Sequence, residues 1–152
     1  MKIGSLFAAT LYKANDADLM LFSGGARYVK YHKRDATLAL AERIEQSAEW
    51  SGTNFHAIFD NAKYAYERVV ILSDMQAWIG YHTPKNSFER YVERVGSRPR
   101  VYTFDLAGLG TMQFPEAGVF ALAGFSDKTM DTLKFLEEDR HALVRQIESM
   151  TL

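Results

Sequence analysis

The segment RVVILSD, residues 68–74, constrains the fold most, because a nearly continuous apolar run of this length is typical of a strand covered on both faces. Helical and strand patterns alternate along the rest of the chain. That alternation predicts an α/β domain with a doubly wound, mainly parallel sheet. Ligands of such sheets bind beyond the carboxyl ends of the strands, so Asp74 at the end of this run marks the first candidate site.

Composition narrows the class of protein. With 152 residues, 47% of them apolar, the chain suits a single domain that spans residues 1–152 and has a sizeable core. A formal net charge of -1 gives no overall field toward DNA, RNA or an anionic membrane. The absence of cysteine excludes thiolate catalysis and suits a reducing, cytoplasmic location. No apolar run approaches the roughly 20 residues that span a bilayer, so no membrane partner is expected.

The predicted elements follow from hydrophobic periodicity and turn residues. Helices are expected at 2–14, 35–48, after the SGTN loop at 51–54, after Pro84, and in the tail from 127 to about 150; strands are expected at 18–23, 27–31, 68–74, 100–107 and 119–124. Asp35 is expected to cap the second helix, with Leu38, Ala41 and Ile44 buried. The third helix should bury Phe55, Ile58, Phe59 and Ala62, and the fourth Phe88, Tyr91, Val92 and Val95.

Thr53 in the SGTN loop has two interpretations. Threonine is a preferred helix N-cap, although Asn54 is equally suited to that role. Alternatively, the Thr53 hydroxyl is a ligand that acts together with Asp74.

The motifs resemble one known family. The GTN run followed by VVILSD is similar to part of a von Willebrand factor A domain. RPRVYTFDLAGLGTMQFP, LAGFSDKTMDTL and ADLMLFSGGARYVKY resemble the C-terminal domain of that type in bacterial Ro-like (TROVE) RNA-binding proteins. The resemblance runs from about Ile3 to Met150. It implies a von Willebrand factor A-like (Rossmann-like) fold and a non-catalytic role in a small noncoding RNA ribonucleoprotein.

The resemblance also implies a metal-ion-dependent adhesion site, in which Thr53 and Asp74 are ligands of Mg²⁺ or Mn²⁺. Such hard cations take oxygen ligands, and an acidic group of a protein partner would complete the shell. The family's DxSxS motif and the strand before it are missing from this sequence. The fold is therefore expected to be incomplete at its N-terminus and the site degenerate, with metal binding weak or absent in the isolated chain.

The missing strand is the central one in the family's sheet, between DLMLFS and VVILSD. Three explanations of its absence stay open. The reading frame is truncated, or the protein is split and its second chain supplies the strand, or the gap is closed by direct pairing of the two strands or by dimerisation. A protein partner is expected, with noncoding RNA contacted indirectly. Two alternative functions also stay open: a metal-dependent hydrolase that uses Asp74 and Asp105, and a structural remnant active only beside a second chain.

A basic stretch, RYVKYHKR at 27–34, raises a separate hypothesis. Basic side chains interleaved with tyrosines bind RNA by phosphate contact and stacking. The alternative is that these cations only protect an edge strand from pairing. The candidate RNA-binding residues are Arg27, Lys30, Lys33 and Arg34.

Overall fold

The computed structural model describes residues 3–49, 52–73, 84–106 and 118–123. The elements are α1 (Ile3–Ala14), β1 (Leu19–Phe22), β2 (Ala26–Val29), α2 (Thr37–Ser47), α3 (Phe55–Asn61), β3 (Arg68–Ser73), α4 (Pro84–Val95), β4 (Arg100–Asp105) and β5 (Val119–Ala123). The predicted alternation of helices and strands is confirmed over this part of the chain. The predicted tail helices and Asp74 lie outside the described residues.

The strands form two sheets. Strands β3, β4 and β5 are parallel, in that order, and Ser73 pairs in register with Asp105. Strands β1 and β2 form an antiparallel hairpin that turns at Gly24 and Gly25. The mainly parallel α/β class is therefore confirmed. Within the described residues, β1 and β3 are not paired with each other. The described strands therefore form two separate sheets rather than one continuous sheet.

Helices cover both faces of the two sheets. Helix α1 contacts α2 and β3, while α3 contacts α4 and both strands of the hairpin. Side chains of α1 join two apolar clusters, one with α2 and β1 and one with the parallel sheet. On the opposite face a third cluster joins α3 and α4 to β1, β3, β4 and β5. Each helical layer thus extends over the hairpin and the parallel sheet alike.

The most buried strand is β4 rather than β3. Five of the six β4 residues are buried, whereas β3 has only Ile71 and Ser73 in that class. The reason is the number of neighbouring strands: β4 has a paired strand on each side, whereas β3 has one paired strand among the described residues. The continuous apolar run of β3 signalled helices above and below it, but it did not signal how many strands lie beside it.

Two predictions for α2 are wrong. Asp35 does not cap this helix; Ala36 holds the N-cap position, and the Asp35 carboxylate instead accepts a 2.7 Å bond from Arg43. Leu38 is 59% exposed, while Leu40 is fully buried beside Ala41. Ala41 and Ile44 are buried as predicted, so Leu40, Ala41 and Ile44 form the buried face and Leu38 lies outside it.

The other predicted faces are confirmed. Phe55, Ile58, Phe59 and Ala62 are buried. In α4, Pro84 stands at the first position, where its missing N–H has no helical partner to lose, and Phe88 and Tyr91 are fully buried. Val92 and Val95 pack partly buried against the same cluster. None of the helices that the structure describes is long and apolar enough to cross a bilayer.

Candidate functional site

Asn54 fixes the SGTN loop to the hairpin. Its backbone N–H donates to the Ser23 carbonyl (2.8 Å), and its side-chain amide donates to the Gly24 carbonyl (3.1 Å). The side-chain oxygen accepts from the Ala57 N–H (3.3 Å), so Asn54 is the N-cap of α3. Thr53 is therefore not the cap, and its hydroxyl is not committed to that role.

Thr53 borders a large cavity that β3 also lines. Ser73, the last residue of β3, is among the other residues of that lining. Asp105 ends the neighbouring strand in register with Ser73 and is 8% exposed. Asp74 lies outside the described residues, but it follows Ser73 directly.

The donors at this edge suit a hard cation only in part. Hydroxyl and carboxylate oxygens are the ligand types that Mg²⁺ and Mn²⁺ prefer. Among the residues that the structure describes, no group of three or more His, Asp or Glu side chains is placed to hold a metal ion. The predicted ligand pair of Thr53 and Asp74 would therefore need further oxygen donors from water or a partner.

A large apolar groove separates the two sheets. It has a volume of about 1540 Å³ and is lined by the whole of β1 on one side and by Arg68 to Ser73 of β3 on the other. Side chains of α1 and α3 form its two walls, among them Phe7, Leu11 and Ile58. We call this groove the slot. The sequence resemblance predicts a missing strand between these two strands, and that stays a prediction.

A hydrogen-bonded bridge closes one end of the slot. Tyr66, just before β3, donates from its hydroxyl to the Asp18 carboxylate (2.7 Å), just before β1. The Tyr28 hydroxyl lies 3.0 Å from that of Tyr66 and accepts from the Lys63 N–H. Burial, together with the bonds to Tyr28 and Asp18, raises the pKa of Tyr66 well above its ordinary value. Sequence reasoning missed this bridge, since its members are far apart and follow no motif.

Two of the four cations in the basic stretch form hydrogen bonds within the chain. Arg27 donates to the Ser47 carbonyl (3.0 Å) and pairs with Glu49 (3.5 Å). Lys33 donates to the Asn15 carbonyl (3.0 Å) and lies over the Tyr12 ring. Lys30 and Arg34 are exposed.

The interleaved tyrosines also make contacts within the chain. The Tyr31 hydroxyl donates to Ser47 (2.8 Å), while Tyr28 belongs to the bridge at the slot and packs against Tyr64. A stacking surface needs ring faces open to bases. This arrangement agrees better with an edge strand protected by its cations than with a stacking surface.

The comparisons with known proteins agree with this architecture. No protein-family model matches the chain, and no curated protein matches it. Among solved structures, the crystal structure of the Deinococcus radiodurans Ro (RSR) protein is similar, with a TM-score of 0.70 at 19% sequence identity. The match covers 86% of this chain and 28% of that one. At this identity the likeness is one of fold, and the chain has the fold of a part of a Ro protein.

Proposed function

We propose that this chain is a non-catalytic binding module of a Ro-like ribonucleoprotein, acting in the cytoplasm as one partial A-type domain. The observation that carries the proposal is the shared fold with part of a Ro protein over 86% of the chain. Fold alone does not fix function. The sequence motifs add a second line of support, since DLAGLGT, LAGFSD and the GTN run resemble the same family through their residues rather than through the shape of the backbone.

The proposed contact surface is the carboxyl edge of β3, with Thr53 and Asp74. Thr53 is free of the capping role, because Asn54 fills it. The Thr53 hydroxyl and the Asp74 carboxylate would hold Mg²⁺ or Mn²⁺ weakly, and an acidic side chain of the protein partner would complete the coordination. The metal would supply a bridge between the two proteins rather than a reaction.

Noncoding RNA enters this proposal through the partner. Of the candidate RNA-binding residues, Arg27 and Lys33 make contacts within the chain, and the neighbouring tyrosine hydroxyls bond inward. The Lys30 and Arg34 side chains are exposed, but two separate cations supply little of the counterion release that drives RNA binding. An indirect association with RNA is therefore the form proposed.

The metal-dependent contact is tested by calorimetry. Titration of Mn²⁺ in the presence of excess acetate, which stands in for a partner carboxylate, should give heat with the wild-type chain and none with Asp74→Ala. Thr53→Val should weaken binding about threefold to tenfold, because it removes one neutral oxygen donor and keeps the shape. Glu42→Ala, an exposed carboxylate on α2, is the matched control and should bind like wild type.

Equal heats for wild type and Asp74→Ala would remove the proposed site. Loss of heat in Glu42→Ala as well would show binding by surface carboxylates in general, which also contradicts the proposal.

A further inference from the structure

Two strands, β1 and β3, border the slot. Strand β1 pairs with β2 on one side only, and β3 pairs with β4 on one side only, within the described residues. The bond from Tyr66 to Asp18 joins the residues just before the two strands, and Asn54, which caps the start of α3, bonds to Ser23, just after β1. Helix α3 leads from that end of β1 back to the start of β3. Strands β1 and β3 therefore run in the same direction on either side of the slot.

The two strands also share their helical layers. Leu21 and Leu72 face the layer that contains α1, while Phe22 and Val69 face the layer that contains α3. This alternation is that of strands in one sheet, although β1 and β3 are not neighbours. A segment placed between them contacts apolar side chains above and below, and the backbone N–H and C=O groups of β1 and β3 on its two sides.

These features select one kind of occupant. The slot volume of about 1540 Å³ exceeds the roughly 300–1,000 Å³ of small-molecule sites. Strands pair at about 4.8 Å, so two strands that flank a third lie roughly 10 Å apart. An extended segment with apolar side chains on both faces satisfies both backbone edges and both apolar walls, whereas a lipid chain or a helix satisfies only the walls.

The charge around the slot adds a requirement. Its described lining includes five acidic residues and one basic residue, Arg68. Asp18 and Glu67 lie at the end that the Tyr66 bridge closes. A segment with lysine or arginine next to its apolar run matches this end.

We infer that the slot binds one extended apolar segment, about five or six residues long with a basic flank, from a separate polypeptide. The segment forms a strand that hydrogen-bonds to β1 and β3 together. A second copy of this chain is the poorer donor, because all five strands that the structure describes already pair within its own sheets. The inference rests on the slot and not on the metal edge, so it stands apart from the proposed function.

The test uses a fluorescent peptide, Lys-Lys-Val-Ile-Val-Ile-Val, capped at both ends, and the full chain in the presence of EDTA. Anisotropy should show saturable binding. In a strand, successive residues direct their N–H groups to opposite sides. One N-methylated peptide therefore blocks the bonds toward β1 and another those toward β3, with the side chains unchanged. Each should bind at least about thirtyfold more weakly, since several backbone bonds are lost.

Three results would overturn the inference. No binding of the parent peptide would show that the slot is filled or too narrow. Equal binding of both N-methylated peptides would show an apolar groove that takes no strand. A loss with only one of them would show addition to a single sheet edge.

Charge variants of the chain test the basic flank. Asp18→Asn combined with Glu67→Gln should weaken binding about threefold to tenfold and flatten its dependence on salt. The asparagine still accepts the Tyr66 bond, so the bridge is kept. Glu42→Gln combined with Glu93→Gln changes the charge equally at exposed sites on α2 and α4 that do not line the slot, and it should leave binding unchanged. An equal effect of both pairs would contradict recognition at this end.

Discussion

Single residues at the slot have unusual surroundings. The Tyr66 hydroxyl lies between Asp18 and Tyr28, where ionisation would place a negative charge against a carboxylate. Burial is the main cause of its raised pKa, and the two hydrogen bonds act in the same direction. Burial also raises the pKa of Tyr91, whose hydroxyl donates to the Tyr64 carbonyl (2.8 Å). Both phenols are therefore held neutral by the fold.

This neutrality predicts a loss of stability at alkaline pH. Below about pH 10 both the folded and the unfolded chain keep the Tyr66 proton, so its contribution to stability is fully present. Above that pH the unfolded chain releases the proton and the folded chain keeps it. The free energy of unfolding should then fall by at most about 1.4 kcal/mol per pH unit for this group.

Urea unfolding at about pH 8.5 and pH 11 measures the effect. Tyr66→Phe should make the decrease between the two pH values smaller than in wild type. Tyr64→Phe, at a residue that is 58% exposed, should leave the decrease as it is in wild type. The same decrease in wild type and Tyr66→Phe would show that other groups control the alkaline transition.

At the scale of elements, Asn54 connects a helix to a hairpin. Asn54→Ala removes the cap of α3 and the bond to the Gly24 carbonyl, and we expect it to lower the free energy of unfolding by about 1–2 kcal/mol. Asn54→Asp keeps the capping oxygen and loses the donor, so it should lower it by less than Asn54→Ala. Chemical denaturation with both variants measures the difference. A loss in Asn54→Asp as large as in Asn54→Ala would assign the whole effect to the hairpin bond.

Element types were predictable from the sequence, and the causes are specific. Apolar spacing placed α3 and its buried residues, and Pro84 marked the start of α4. The failed cap of α2 has a specific cause: Asp35 has an arginine partner, Arg43, that takes up its carboxylate. Capping rules consider only the nearby backbone, so they take no account of a side chain that binds the expected capping residue.

The candidate site was predictable to a smaller extent. Sequence motifs identified Thr53, and the structure places it, with Ser73, in the lining of one large cavity, but the metal ligation of Thr53 and Asp74 stays a prediction. The gap beside β3 was expected from the resemblance alone, because periodicity reports the faces of a strand and not its edges. The bridge from Tyr66 to Asp18 depends on residues 48 positions apart, which no local pattern joins.

At the scale of the whole molecule, the slot divides the chain into two unequal parts. The hairpin is held to the parallel sheet by helical layers, the Tyr66 bridge and the SGTN loop, and by no described strand pairing. Isolated two-stranded hairpins are marginally stable in water. We therefore expect the hairpin to open at a lower free energy than the parallel sheet, in the manner of a separate cooperative unit.

Native-state hydrogen exchange tests this division. Amides of β4, which is buried and paired on both sides, should exchange only by global unfolding, while those of β1 and β2 should exchange by a smaller opening. Val101→Ala in β4 should lower the free energy of exchange of the β4 amides by about 1–3 kcal/mol. It should leave that of the hairpin unchanged, because the parallel sheet stays intact when the hairpin opens. An equal fall in both would show one cooperative sheet, in which the two edges of the slot are already joined.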